Sequence, residues 1–390
     1  MKIAVCAPAT LSLLEPYIDG PINSNGYPFP GTAELILEYL GLGHSVVLIT
    51  TATDISEPLR YIGEKLEIRI LPARVRARSR ALDFFRKERR WIAQALRCTN
   101  PDVIHAHWTY EFAIPSRNSG VPNLVTVHDW GPSIALHNKH PYWYLRAMMQ
   151  IWCLSLNGEL SAPTDYLAQK VRRYYRRQCS VIPNGVDVWA APAEIGPRVQ
   201  NGRVGMLNVG FSERKNVKTA LKAWKIVLKE HPGYQLFLAG PGYEPNGPAH
   251  SWAIENLCDK GVIFEGELDP SDRRKWYEEK SIFLHTSREE SFGMVLIEAM
   301  AAKTPVIAGK ASGAVPEITR GAALLVDIDN PAEVARTLLQ VLSDEGELQL
   351  RSALGRQVAE LYDKRVVARQ YVRLLEQLAS GENIAAGMET

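Results

Sequence analysis

Short apolar runs recur through both halves of the chain, each followed by helical periodicity, and this alternation constrains the fold more than any other feature. In the first half, residues 3–7, 45–50, 103–106 and 123–127 read as strands, with a helix over 32–42. In the second half, residues 204–209, 235–239, 262–264, 282–284 and 305–307 repeat the pattern. Strands alternating with helices build parallel sheets covered on both faces. A chain of 390 residues is long enough for two such units. The stretch Trp189-Ala190-Ala191-Pro192-Ala193-Glu194-Ile195-Gly196-Pro197 is rich in Pro and Gly, as linkers are. The expected division is a first domain over 1–187, a linker over 188–202 and a second domain over 203–362. Open parallel sheets bind ligands beyond the carboxyl ends of their strands, so the loops that follow strands are where chemistry is sought.

The composition narrows the class. A hydrophobic content of 46% and a charged content of 23% are ordinary for a soluble globular chain. A net charge of +2 gives no bulk attraction to nucleic acid. Cys6, Cys98, Cys153, Cys179 and Cys258 contain no close pair, which fits a reducing cytosol and argues against a disulfide framework or a zinc site. The opening Met1-Lys2-Ile3-Ala4-Val5-Cys6 is too short an apolar run for a signal peptide, and no run approaches the twenty or so apolar residues of a membrane span.

The most specific stretch runs from Ser287 to Ala301. Glu290 and Glu298 bracket a Ser291-Phe292-Gly293 turn between the strand ending near His285 and an apolar helix rich in Met, Leu, Ile and Ala. A strand, a glycine turn and a helix start together aim backbone N–H groups and a positive dipole end at one spot, which suits a phosphate. If Glu298 lies on the helix, eight residues of rise carry it about 12 Å from Glu290, roughly the span from the sugar to the ribose of a nucleotide sugar. The plainer alternative is a buried helix with two incidental acids.

The run from Ser291-Phe292-Gly293 through Pro305-Val306-Ile307-Ala308 to Val315-Pro316-Glu317-Ile318 resembles the signature of the retaining GT-B glycosyltransferases of the family-4 group. Ile182-Pro183-Asn184-Gly185-Val186-Asp187 is similar to that family's domain-junction motif, and Gly31-Thr32-Ala33-Glu34 and His128-Asp129 to its acceptor-domain landmarks. The resemblance covers residues 2–380. It implies an α/β GT-B fold: two facing Rossmann-like, doubly wound parallel-sheet domains with the site in the cleft between them. It also implies a last helix, over 363–380, that crosses back to the first domain.

The resemblance implies a donor site on the second domain. Glu290 binds sugar hydroxyls, Glu298 the ribose, and the backbone around Ser291, Phe292, Gly293 and Met294 the phosphate. Carboxylates suit vicinal hydroxyls because both oxygens accept. The loop Gly210-Phe211-Ser212-Glu213-Arg214-Lys215-Asn216 supplies Lys215 to the diphosphate. Phe211 stands where the family carries an arginine, so Arg214 is the candidate second cation, although adjacent side chains seldom point the same way. The other reading of these cations is a solvated pair at a helix start, a place where the dipole opposes them. Gly240 opens another strand-end loop and either admits a ligand or only turns; Gly266, Glu267 and Leu268 are implied to meet the base. Asp327-Ile328-Asp329 has metal-binding spacing but precedes Asn330-Pro331 and reads as a loop. No metal and no cofactor are expected, with Lys215 and the helix start neutralising the leaving group.

On the acceptor side, Gly31 and Thr32 open a helix, with Thr32 equally readable as its N-cap. His128 is implied to contact the transferred sugar, with Asp129 beside it; a buried, satisfied histidine is the alternative. His105-Ala106-His107 reads as strand-end packing, and Gly41-Leu42-Gly43-His44 follows a helix rather than a strand, so it is no dinucleotide fingerprint. Two basic stretches, Arg74 to Arg90 and Lys170 to Arg177, interleave aromatics and suit an anionic membrane surface or a lipid-linked diphosphate, unless they are merely solvated faces. The expected activity is hexosyl transfer from a UDP- or GDP-linked sugar to a growing glycan, foremost a lipid-linked bacterial envelope polysaccharide. The location expected is cytoplasmic, peripheral to the inner face of the plasma membrane. A soluble acceptor, a catalytically silent partner of an assembly complex and a GT-B epimerase are the alternatives.

Overall fold

The computed structural model describes residues 1–189 and 202–381. They form two compact units: Met1–Gly185 with the chain from Lys364 onward, and Val186–Asp363. Most of the expected linker, residues 190–201, lies outside the described residues.

Unit one holds strands β1 (Lys2–Cys6), β2 (Ser45–Ala52), β3 (Leu59–Ile62), β4 (Leu66–Pro72), β5 (Val103–His107), β6 (Asn123–Thr126), β7 (Glu159–Ala162) and β8 (Ser180–Val181). They make one sheet in the order β3-β4-β2-β1-β5-β6-β7-β8. All pairings are parallel except β3 with β4. Its helices are α1 (Pro30–Gly41), α2 (Ala77–Leu82), α3 (Arg86–Arg97), α4 (Ala113–Arg117), α5 (Gly131–Asn138), α6 (Pro141–Ser155) and α7 (Asp165–Tyr175). β1 shows why the sheet is covered on both sides. Ile3 and Val5 join one apolar cluster, with Ile36 and Tyr39 of α1; Ala4 and Cys6 join another, with Ile92 and Leu96 of α3. A strand buried on both faces reads as a continuous apolar run rather than an alternating one.

Unit two holds β9 (Arg203–Leu207), β10 (Gln235–Ala239), β11 (Val262–Gly266), β12 (Ile282–His285), β13 (Val306–Gly309) and β14 (Leu324–Val326), with helices α8 (Val217–Glu230), α9 (Pro248–Glu255), α10 (Arg273–Glu278), α11 (Met294–Ala301), α12 (Val315–Thr319), α13 (Pro331–Leu342) and α14 (Glu345–Glu360). Its sheet runs β11-β10-β9-β12-β13-β14, parallel throughout. This is a doubly wound order: the chain moves outward from β9 in one direction and then restarts on its other side. The loops after β9 and β12 therefore diverge and leave a crevice at the switch point. In unit one the same reversal lies between β1 and β5. The last helix, α15 (Lys364–Ser380), packs on α1 and β5 of unit one, with Val367, Ala368, Tyr371 and Leu375 buried.

Candidate active site

The switch point of unit two brings together residues 75 positions apart. Lys215, in the loop after β9, donates from Nζ to Oε1 of Glu290, in the loop after β12, at 2.6 Å. The two side chains are 11% and 13% exposed. His285 Nε2 lies 3.4 Å from the same oxygen. Burial, the largest influence on Glu290, would raise its pKa; Lys215, His285 and Arg214 overcome it and hold the carboxyl well below 4.5. The backbone is held as firmly. Thr286 Oγ1 donates to the carbonyls of Lys215 and Asn216, and the Glu290 carbonyl accepts from Ala314 N. Arg214 turns to the same side: its guanidinium donates to the Glu289 carbonyl at 3.2 Å. Two adjacent side chains thus meet the same loop, Lys215 at the Glu290 carboxylate and Arg214 at the Glu289 carbonyl, and Asn216 leads into α8 at a left-handed φ of 51°.

Gly293, at φ 90°, starts α11 with no side-chain cap. The first amides of the helix, at Met294 and Val295, thus keep their capacity to donate to an anion. Phe292 is buried edge-on against Tyr362, so it offers the crevice only backbone, while Ser291 and Met294 are half-buried. The helix begins at Met294, four residues after Glu290, so the two acids do not share one helix and the 12 Å axial rise does not apply. Glu298 sits one turn into α11. Its Oε2 accepts from the Tyr277 hydroxyl at 2.9 Å. Burial pushes its pKa up, with Arg273 and Tyr277 opposing. The two glutamates thus differ in charge economy: Glu290 is held ionised by cations, whereas Glu298 is strained towards neutrality.

The remaining loops line the same sheet edge. Gly210 (φ 78°) is tied to the Pro241 carbonyl through its N–H, and its own carbonyl accepts from Tyr243. A Cβ on Gly240 (φ 107°) would stand 1.9 Å from the Asn208 carbonyl oxygen, so this glycine serves the chain's own crossing of β9 and β10. Gly266 closes the β11 end by hydrogen bonds with Gly240 and Tyr243, and leaves Glu267 exposed and Leu268 half-buried. Asp329 is gripped by Arg288 at 2.7 Å and by Asn216, and Asp327 lies 3.8 Å from Lys310.

In unit one, His128 and Asp129 follow β6. His128 Nε2 lies 2.9 Å from His107 Nδ1, and the Asn184 side chain also hydrogen-bonds His128. Burial, only partly offset by Asn184, lowers its pKa to about 4. Asp129 accepts from the Tyr110 hydroxyl at 2.7 Å. Behind them, His105 bridges Tyr39 and Thr126. Trp108, at φ 60°, leaves β5 in a left-handed conformation between Phe29 and His128, both 4.7 Å away by ring centroid. Helix α1 starts at Pro30 behind Phe29, so Thr32 lies inside the first turn and is not the N-cap. Its Oγ1 is buried without a partner among the described residues, and Gly31 fits closely against the Phe29 ring.

Residues 201–360 match the family model described as glycosyl transferases group 1, and residues 31–189 the model described as glycosyltransferase family 4. The chain is a GT-B glycosyltransferase of the family-4 group. The transferase is 26% identical over 338 residues to the phosphatidyl-myo-inositol mannosyltransferase of Mycobacterium tuberculosis, across 83% of its own length and 82% of the relative's. It is 25% identical over 281 residues to the glycogen synthase of the same organism, across 67% of its length, and spans 65% of that relative. The solved E. coli structure described as trehalose-6-phosphate bound with UDP-2-fluoro glucose superposes with a TM-score of 0.71 at 16% identity, covering 97% and 99% of the two chains. That likeness bears on the fold.

In this glycosyltransferase the fold assembles Lys215, Arg214, Glu290 and the Gly293 turn around one crevice, with Glu298 a turn deeper. Several participants escaped the reading of the sequence. His285 and Tyr277 look like ordinary core residues of a strand and a helix. Trp108 gave no signal, since a left-handed φ is invisible in residue identity. His107 has the sequence context of strand-end packing, yet it holds His128, and Asn184 of the junction motif meets the same imidazole.

Proposed function

We propose that the transferase moves a hexose from a nucleoside diphosphate sugar to a growing glycan, with retention of anomeric configuration and without a metal. The observation that carries this reading is the buried Lys215–Glu290 pair at the switch point, beside an uncapped helix start. The contacts of Lys215 and His285 with Glu290 both fall on Oε1, so Oε2 is left for a sugar hydroxyl. Lys215, Arg214 and the first amides of α11 receive the diphosphate, and Glu298 the ribose. An ionised Glu290 cannot donate a proton, so the leaving diphosphate must be stabilised by fixed positive charge. In the proposed step the bond from C1 to the β-phosphate oxygen breaks and its electron pair leaves with the diphosphate. The acceptor oxygen bonds C1 on the same face, and its proton passes to the departing phosphate. In unit one, His128 and Asp129 contact the transferred sugar and the acceptor, with Gly31 and Thr32 at the start of α1.

UDP and GDP sugars are the proposed donors; the structurally similar E. coli protein bound with UDP-2-fluoro glucose supports the first. The proposed acceptor is a lipid-linked envelope glycan reached at an anionic inner leaflet through the basic stretches, which the match to a phosphatidyl-myo-inositol mannosyltransferase supports. No described helix is long and apolar enough to cross a membrane. The match to a glycogen synthase favours a second reading, a soluble glycan acceptor.

A thermal-shift panel of UDP, GDP, dTDP and ADP sugars tests the donor. A ligand at 100 times its Kd adds about 2.7 kcal/mol to native stability, so one base should raise Tm clearly above the others. No shift with any of them, and no donor hydrolysis by the pure protein, would leave a silent assembly partner. Turnover in excess EDTA is expected to match turnover without it. Loss of activity restored by magnesium or manganese would reverse the metal-free reading.

A further inference from the structure

Helix α6 carries apolar side chains on both faces. Its inner face packs into unit one through Ala147, Met149, Cys153 and Leu154. An ordinary surface helix would then be polar outside, but Tyr144, Met148, Ile151 and Trp152 stand there 46%, 45%, 46% and 38% exposed. Their positions, i, i+4, i+7 and i+8, fall on one stripe. Singly scattered apolar side chains need no explanation; a helix-long stripe marks a surface that something covers.

The surroundings of the stripe carry one sign of charge. Helix α6 itself contains no acidic residue. Residues 74–91 hold eight basic and two acidic side chains, and both acids, Asp83 and Glu88, are taken by Arg74. Arg74 is thereby structural, which removes it from the basic surface expected over 74–90. Helix α2 packs on α6, and the Arg89 guanidinium lies 4.5 Å over the Trp152 ring. At the far end of α6, Arg177 donates to the Leu154 and Leu156 carbonyls. Glu111 is paired with Arg146 of α6 at 2.6 Å. Arg76, Arg78, Arg86, Lys87 and Arg90 remain exposed, with no ion pair among the described residues.

We infer that the outer face of α6, with these flanking cations, docks on an anionic bilayer. Tyr144 and Trp152 seat at the headgroup level, Met148 and Ile151 reach the acyl boundary, and the arginines meet lipid phosphates. A second copy of the chain fits less well, because a two-fold contact would set like charges against each other. The inference deepens the lipid-linked acceptor reading and rests on it.

The test is co-sedimentation of the full chain with vesicles of phosphatidylglycerol mixed with phosphatidylcholine, and of phosphatidylcholine alone. The wild type should pellet with the first and not the second. Met148→Ser with Ile151→Ser should weaken that binding about tenfold or more, since two buried apolar side chains are lost. Arg78→Glu with Arg90→Glu should do the same at low salt, and less so once salt shortens the Debye length. Equal pelleting with both vesicles, pelleting with neither, or full binding by the serine pair would overturn the inference. So would a wild-type dimer that the serine pair converts to monomer, which would make a second copy the occupant. The nucleotide-sugar thermal shift on the same preparations separates the two readings. Lost vesicle binding with an intact shift refutes docking alone, whereas a missing shift counts against sugar transfer itself.

Discussion

Lys215→Ala should lower kcat by about 10²–10³-fold, the usual effect of deleting one preorganised group that stabilises developing charge. It should also weaken the fold. Lys215 and Glu290 are nearly buried, and removing one member of such a pair leaves the other uncompensated, typically at a cost of about 3–5 kcal/mol. Adding Glu290→Gln should recover much of that stability and none of the activity, because the orphaned charge is gone while the diphosphate still lacks its cation. Urea denaturation and single-turnover transfer on the three variants measure both effects. Activity within a few-fold of wild type would remove Lys215 from the diphosphate. An unchanged denaturation midpoint would show that the pair contributes nothing to the fold. The same pair predicts acid sensitivity. The Glu290 pKa is depressed in the folded state, so its contribution is complete above the ordinary value of 4.5 and is lost as pH falls through the folded value. Glu290→Gln should flatten that part of the acid limb.

Glu298→Gln should have the opposite effect on stability. The folded state raises the pKa of Glu298, so its ionised form costs native stability at neutral pH, and that cost vanishes below the ordinary carboxylate value of 4.5. The glutamine variant should therefore melt higher than wild type at pH 8, with the gap closing as pH falls towards that value. Nucleotide affinity should move the other way. Hydrogen bonds to a charged acceptor are worth about 1.5–3 kcal/mol, so Glu298→Gln or Glu298→Ala should weaken nucleotide binding at least about tenfold. Higher stability with poorer binding marks a group held in a costly state for a ligand. Calorimetry that finds unchanged affinity would exclude Glu298 from the ribose site.

The central strands of both units could be read from sequence because they are buried on both faces and apolar throughout. β1, β2, β10 and β12 stand out for that reason. β7, with the sequence Glu159-Leu160-Ser161-Ala162, lacks β-branched side chains, β8 is only two residues long, and only pairing with their neighbours makes them strands. β3 is an antiparallel edge whose side chains alternate between half-buried and exposed, which leaves little contrast to detect. The site divides similarly. Lys215, Glu290 and Glu298 are legible because they sit where strands end and helices begin. The groups that tune them come from elsewhere in the chain: Tyr277 from α10, and His107 and Asn184 from positions far from His128. A role set by distance in space leaves no trace in local spacing. Arg214 shows the limit of a rule about neighbours, because it and Lys215 both reach the loop after β12.

The closing helix has a bearing on how the protein is made. Unit two is one continuous segment and can complete itself as it leaves the ribosome. Unit one cannot: α15 follows the whole of unit two in the chain, yet Val367, Ala368, Tyr371 and Leu375 share a core with Ile3, Val5, Ile36 and Tyr39. Tyr371 lies 4.7 Å by ring centroid from His105, behind the imidazoles that lead to His128. Until α15 emerges, the rest of unit one exposes part of one apolar face of its sheet and an unsupported row of histidines. A nascent chain is thus open to chaperones, and to aggregation, until α15 has emerged. A ribosome that stops between unit two and α15 releases a polypeptide with a finished second unit and a first unit that cannot close.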